Sequence, residues 1–145
     1  MRFSIWGGAF FYSNAYLSSN SMKLERLVRL QFIYCLLGIL FNVISLYLLS
    51  QGNKALTPTE PLAGIVVMSI YGLFLLSGKM RQIRLYRVLM GLAVAIFIYS
   101  GIIKHMISLS QSPEVYFSIG SGVLAIAINL FGLILNLRAA MGRFS

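Results

Sequence analysis

The sequence predicts an all-α fold, an integral membrane bundle of four transmembrane helices with both termini on the cytoplasmic side (N-in/C-in). Three observations predict it. Four apolar stretches run over Leu30–Leu49, Leu62–Gly78, Val88–Leu109 and Tyr116–Leu137. Each meets or nearly meets the ~20 residues that a helix rising about 1.5 Å per residue needs to cross a hydrocarbon core roughly 30 Å thick. The chain is 59% hydrophobic and only 10% charged over 145 residues, far from the roughly 25% charged of soluble domains, so the apolar excess must face lipid. Finally, Lys and Arg partition sharply once the spans are drawn. Lys23, Arg26 and Arg29 precede span 1; Lys79, Arg81, Arg84 and Arg87 separate spans 2 and 3; Arg138 and Arg143 follow span 4. The opposite side has Lys54 and Lys104 with Glu60 and Glu114, so the positive-inside rule orients the bundle.

Length allows one membrane domain over residues 1–145, with helices at about 28–50, 61–78, 86–109 and 115–138. The first loop, Ser50–Pro61, holds Gly52, Asn53, Pro58 and Glu60, a turn cluster that ends one helix and starts the next. Thr57 or Thr59 is the expected cap of span 2, with Pro61 in its first turn. Ser108–Glu114 makes the corresponding loop between spans 3 and 4. Tyr47, Tyr99 and Tyr116 are expected as aromatic anchors at the outer interface, and Tyr34 and Tyr86 at the inner one.

Residues 1–27 read as a cytoplasmic or interfacial segment, because Phe3, Trp6 and Phe10 recur at helical spacing while Gly7, Gly8 and Asn14 interrupt it. Two other readings stand beside this one. Arg2 and Ser13-Asn14-Ala15 outline a short signal peptide, and Met22 heads a stretch that looks like an ordinary N-terminus.

Polar and small residues inside the spans fall on seams. Span 1 places Gln31, Cys35, Gly38, Asn42 and Ser45 at intervals of 4, 3, 4 and 3; span 4 places Ser118, Gly122, Ala125, Asn129, Gly132 and Asn136 at 4, 3, 4, 3 and 4. Association of helices within lipid depends on close approach over small residues and on interhelical hydrogen bonds, and this spacing suits left-handed packing. One reading is packing alone; the other is a polar path or solute site. Tyr71, near the middle of span 2, is placed to bridge Asn42 and Asn129. The run Leu36–Asn42 also matches Leu130–Asn136, which an inverted repeat would explain.

Little chemistry is legible. Lys104 and His105 are the titratable pair near a span, Lys104 as a headgroup anchor and His105 as a proton or anion handle. The chain has no Asp, and Glu25, Glu60 and Glu114 all lie outside the spans, which argues against a cation-coupled transporter. Cys35 is alone, and His105 is expected at the opposite face, so neither a Cys–His pair nor a Cys-based zinc site is available. No catalytic residue, metal or cofactor is expected. The net charge of +9 sits at helix ends and forms no stripe, which argues against nucleic acid. Lys79, Arg81, Arg84 and Arg87 are expected to contact anionic headgroups on the cytoplasmic side.

The leading functional expectation is an accessory or interaction protein of the plasma membrane. It would dock another membrane protein, or itself, through Gly38, Asn42, Gly122, Ala125 and Asn129. The alternative is a homo-oligomeric channel or carrier for a small solute, with a path along spans 1, 2 and 4 lined by Asn42, Tyr71 and Asn129.

Overall fold

The computed structural model describes residues 6–144, with side chains from residue 23 onward. Four helices follow in order: α1 (Trp6–Ser50), α2 (Pro61–Lys79), α3 (Ile83–Gln111) and α4 (Ile119–Ala140). All four are long and apolar enough to cross a membrane, α1 by its part Lys23–Ser50. The chain is therefore a multi-pass helical membrane protein.

Helix α1 runs without a break from Trp6 into the first span, so Gly7, Gly8 and Asn14 do not interrupt the backbone. The side chains on which the interfacial, signal-peptide and Met22 readings rest lie outside the described residues. Helix α2 is capped neither by Thr57 nor by Thr59. The Glu60 carboxylate accepts from Leu62 N (3.2 Å) and Ala63 N (2.8 Å), with Pro61 in the first turn, where its missing N–H costs nothing. Helix α4 starts at Ile119 rather than near 115, because Pro113–Val115 closes a 3₁₀ turn and Ser118 and Ser121 form a reciprocal cap.

The turn from α2 to α3 is tight. Gln82 N reaches back to Ser77 O (2.9 Å) and Arg81 takes a φ of 59°, the left-handed conformation that usually falls to glycine after a helix. Arg81 also pairs with Glu25 of α1 at 3.2 Å, with both side chains largely exposed. Helix α3 contains a π-helical segment, Ile98–Ile103, between its α-helical parts Ile83–Phe97 and Lys104–Gln111. Within that segment the Ser100 hydroxyl bonds back to Ile96 O (2.8 Å), and Lys104 N reaches Tyr99 O, one residue farther than an α-helix allows.

The helices form a ring: α1 packs on α2 and α4, and α3 packs on α2 and α4. Side chains meet across its centre. Leu75 of α2 and Tyr86 and Met90 of α3 are fully buried there, while Leu36, Leu73 and Val88 stay exposed on the outer surface. Most of the described basic residues gather at one end, Lys54 and Lys104 excepted, and there Arg87 Nε donates to Ala140 O at the C-terminus of α4 (3.0 Å). There the cation complements the helix dipole. At the far end Leu56 ties the first loop to two helices: its N–H donates to Ser45 Oγ (2.9 Å) and its carbonyl accepts from Ser121 Oγ (2.7 Å).

Candidate functional site

The bundle interior is layered, and toward the basic end, just above the apolar Leu24, Leu27, Val28 and Ala139, one layer is polar. Gln31 of α1 donates from Nε2 to Asn136 Oδ1 of α4 (2.9 Å) and lies 3.1 Å from Met90 Sδ. Its Oε1 accepts from the Tyr86 hydroxyl of α3. Tyr71 of α2 donates to the same Asn136 Oδ1 (2.7 Å). One residue from each helix thus enters a single network, and Gln31 and Asn136 have no exposed surface. In a medium without water these groups can be satisfied only by one another. Asn136 Nδ2 is left without a partner among the described residues.

Two expectations are corrected here. Tyr71 does not bridge Asn42 and Asn129; it reaches Asn136, a turn or two nearer the basic end. Tyr34 and Tyr86 are not interfacial anchors but core residues, buried to 1% and 0% exposure. Tyr47 and Tyr99, by contrast, are exposed, while Tyr116 of the outer set is buried as well. Tyrosine at a helix end is read as an anchor when its hydroxyl has water to face; here each buried hydroxyl has an internal partner instead.

Above this network lies an aromatic layer. Tyr34, Tyr71 and Phe97 meet edge to face in all three pairings, with ring centroids 5.4–6.0 Å apart. Tyr34 Oη also donates to Asn129 Oδ1 (3.2 Å). Gly132 makes room for this ring, since a Cβ there would fall on Tyr34.

The far half of the bundle is not filled. A cavity of about 190 Å³ lies over the aromatic layer, with Tyr34, Asn42 and Asn129 on its floor and walls, and Thr57, Thr59 and His105 toward the far end. Its exposed lining residues are Ala63 and Val67 of α2 and Ser100 of α3, so it opens between those two helices. The space exists because the walls are small. A side chain on Gly64 would strike the Asn42 amide, and one on Gly101 would come 2.8 Å from Asn129. Both amides are anchored to their own helices, Asn42 Nδ2 to Gly38 O (2.8 Å) and Asn129 Nδ2 to Ala125 O (3.0 Å).

His105 is held by Tyr116. The Tyr116 hydroxyl oxygen lies 3.2 Å from His105 O and 3.0 Å from His105 Nδ1. The phenol proton serves either the carbonyl, with Nδ1 donating to the phenol oxygen, or Nδ1 itself, according to the His105 tautomer. Nε2, an acceptor in the first tautomer and a donor in the second, lies 3.5 Å from Thr59 Oγ1. Burial pushes the Tyr116 phenol above its ordinary range, which keeps it a donor. Lys104, its neighbour in sequence, is exposed, so the pair read together from the sequence is divided between the interior and the surface.

Of the residues singled out in the sequence, Gly38, Asn42, Ala125, Asn129 and His105 line the cavity. Tyr71 belongs to the polar layer beneath, and Gly122 lies against Leu109 and Tyr116. Lys79, Arg81, Arg84 and Arg87 are all exposed at the basic end. Sequence reasoning missed Thr57, Thr59, Gly64, Phe97, Ser100 and Gly101. The two glycines were a usable signal, small residues opposite the two asparagines; the π-helical segment that presents Ser100 and Gly101 leaves no sequence pattern. No family model, curated protein or solved structure matches the chain.

Proposed function

We infer that the chain is a multi-pass membrane protein that binds a small solute in the cleft between α2 and α3, the binding step of a channel- or carrier-type activity. The observation that carries this reading is the cavity itself, which is lined by hydrogen-bonding groups from α1, α3, α4 and the first loop and has a mouth between α2 and α3. Its ~190 Å³ would hold about six waters at ~30 Å³ each, or one small organic molecule. The aromatic layer and the Gln31–Asn136 network close the bundle beneath it, so passage to the basic end requires both layers to part. The path takes in α3 as well as α1, α2 and α4.

Docking of another membrane protein ranks second. Gly38, Asn42, Gly122, Ala125 and Asn129, the residues that would perform it, are turned onto this chain's own helices. The positive-inside rule puts the basic end in the cytoplasm, giving an N-in/C-in protein of the plasma membrane with Lys79 and Arg84 at the anionic headgroups.

Access tests the reading. In a Cys35→Ala background in nanodiscs, Ser100→Cys at the cleft mouth is expected to react with a small neutral methanethiosulfonate about tenfold faster than Ser69→Cys, because the reactive thiolate needs water. Ser69 is equally exposed and also back-bonded on its helix, but it lies outside the cavity lining. Equal rates would mean that lipid alone fills the cleft, and would overturn the proposal.

A further inference from the structure

A second cavity continues the first. It measures about 170 Å³, lies between α2 and α3 farther toward the basic end, and shares Val67 and Phe97 with the solute cavity. The rest of its lining is Ile70, Tyr71, Phe74, Ala93 and Ile96. Ile70 and Ile96 are exposed on the lipid-facing side of the seam between the two helices. The two volumes therefore form one furrow. Its far part offers Asn42, Thr59, Ser100, Asn129 and His105, and its lower part is hydrocarbon but for the Tyr71 ring, whose hydroxyl is spent on Asn136.

Charge is missing from both parts. Among the described residues no Lys, Arg, Asp or Glu lines either cavity. The one titratable side chain at the polar end, His105, is buried and spends Nδ1 on a phenol rather than on a carboxylate. An ion entering this site would lose its hydration without gaining a counter-charge, which disfavours it. A neutral hydroxyl or amide head meets both donors and acceptors there: Asn42 and the Thr59 hydroxyl can do either, and His105 Nε2 takes either role by tautomer.

We propose that the ligand of this site is an uncharged single-chain amphiphile that enters from the bilayer between α2 and α3, with its polar head under Thr59 and His105 and its chain along Val67, Phe74 and Phe97. This rests on the cleft being a binding site and adds the class of ligand. Size agrees: the combined furrow suits a chain of about eight to ten carbons, given that a cavity near 150 Å³ takes one benzene. The surrounding lipid is then the source of the ligand, and the lateral mouth at Ala63, Val67 and Ser100 is its entrance.

The test is photolabelling of the full-length protein in nanodiscs with a diazirine-bearing octanol. Adducts are expected on α2 and α3 around Val67–Phe74 and Ala93–Phe97. They should be suppressed severalfold by excess octanol or octanamide, but not by octanoate or octylammonium. Val67→Trp, at an exposed position where the two cavities join, should abolish that protected labelling while leaving the fold intact by circular dichroism. Suppression by the charged chains as well would overturn the uncharged class and leave the binding site standing. Acetamide competing as well as octanamide would remove the chain-binding furrow. Adducts spread over all four helices and insensitive to every competitor would overturn the ligand class and the binding site together.

Discussion

Asn136→Leu is expected to destabilise the bundle by about 1–3 kcal/mol, read as the shift in unfolding free energy in bicelles. Asn136 Oδ1 accepts from two buried donors, Gln31 Nε2 and the Tyr71 hydroxyl, so a single substitution strands the phenol and leaves the Gln31 amide only the weak acceptor Met90 Sδ. A hydrogen bond between transmembrane helices is typically worth about 0.6 kcal/mol and up to about 1.7, and an orphaned buried donor adds its own desolvation cost. Tyr71→Phe removes one of the two donors and should cost about 0.5–1.5 kcal/mol. The double variant should cost less than the sum, because once Asn136 is gone the phenol has no partner to lose. Asn42→Ala offers the contrast: its amide bonds to its own helix at Gly38 O, and a loss below about 1 kcal/mol is expected. An Asn136→Leu variant as stable as the parent would refute the network as a source of cohesion.

Gly132→Leu carries the other large effect. Even a Cβ at Gly132 would fall on the Tyr34 ring, which is buried and edge-packed against Tyr71 and Phe97. Tyr34 cannot retreat without breaking its bond to Asn129 and the aromatic layer that floors the cavity. Overpacking a filled interior costs typically 1–3 kcal/mol, and the upper part of that range is expected here. The solute site should change with it, so that the fast modification of Ser100→Cys is lost. Gly91→Ala is the control, since nothing lies within 4 Å of a Cβ at that position. It should be neutral or slightly stabilising, because alanine favours the helix by up to about 1 kcal/mol.

Hydropathy made the helices legible, and spacing made the inward faces of α1 and α4 legible. Both signals follow from the bilayer, which demands ~20 apolar residues per span and confines polar groups to the interior. Pairings across the bundle were not legible. Gln31 and Asn136 stood on the seams, but which amide Tyr71 would meet depends on the axial offset of α2 against α4. That offset follows from where Glu60 caps α2 and Ser118 caps α4; α2 begins at the expected residue 61, though with a different cap, whereas α4 begins at Ile119 rather than near 115. Tyr86 was misplaced for a related reason: helix α3 starts at Ile83, nearly a turn before the expected 86, which carries Tyr86 into the core beside Gln31. The cavity was half legible. Asn42 and Asn129 marked its depth, but its mouth depends on the π-helical segment of α3, which places Ser100 at the opening and Gly101 against Asn129 of α4.

The most direct test of the ligand-binding account is extraction of the tagged full-length protein from its native membrane into nanodiscs, followed by native mass spectrometry of what stays bound. The account predicts a bundle carrying a single uncharged small molecule at one per chain, lost in the Val67→Trp variant. A bundle without such a molecule but joined in fixed stoichiometry to a different membrane protein would contradict it, and would assign the chain to the accessory subunits.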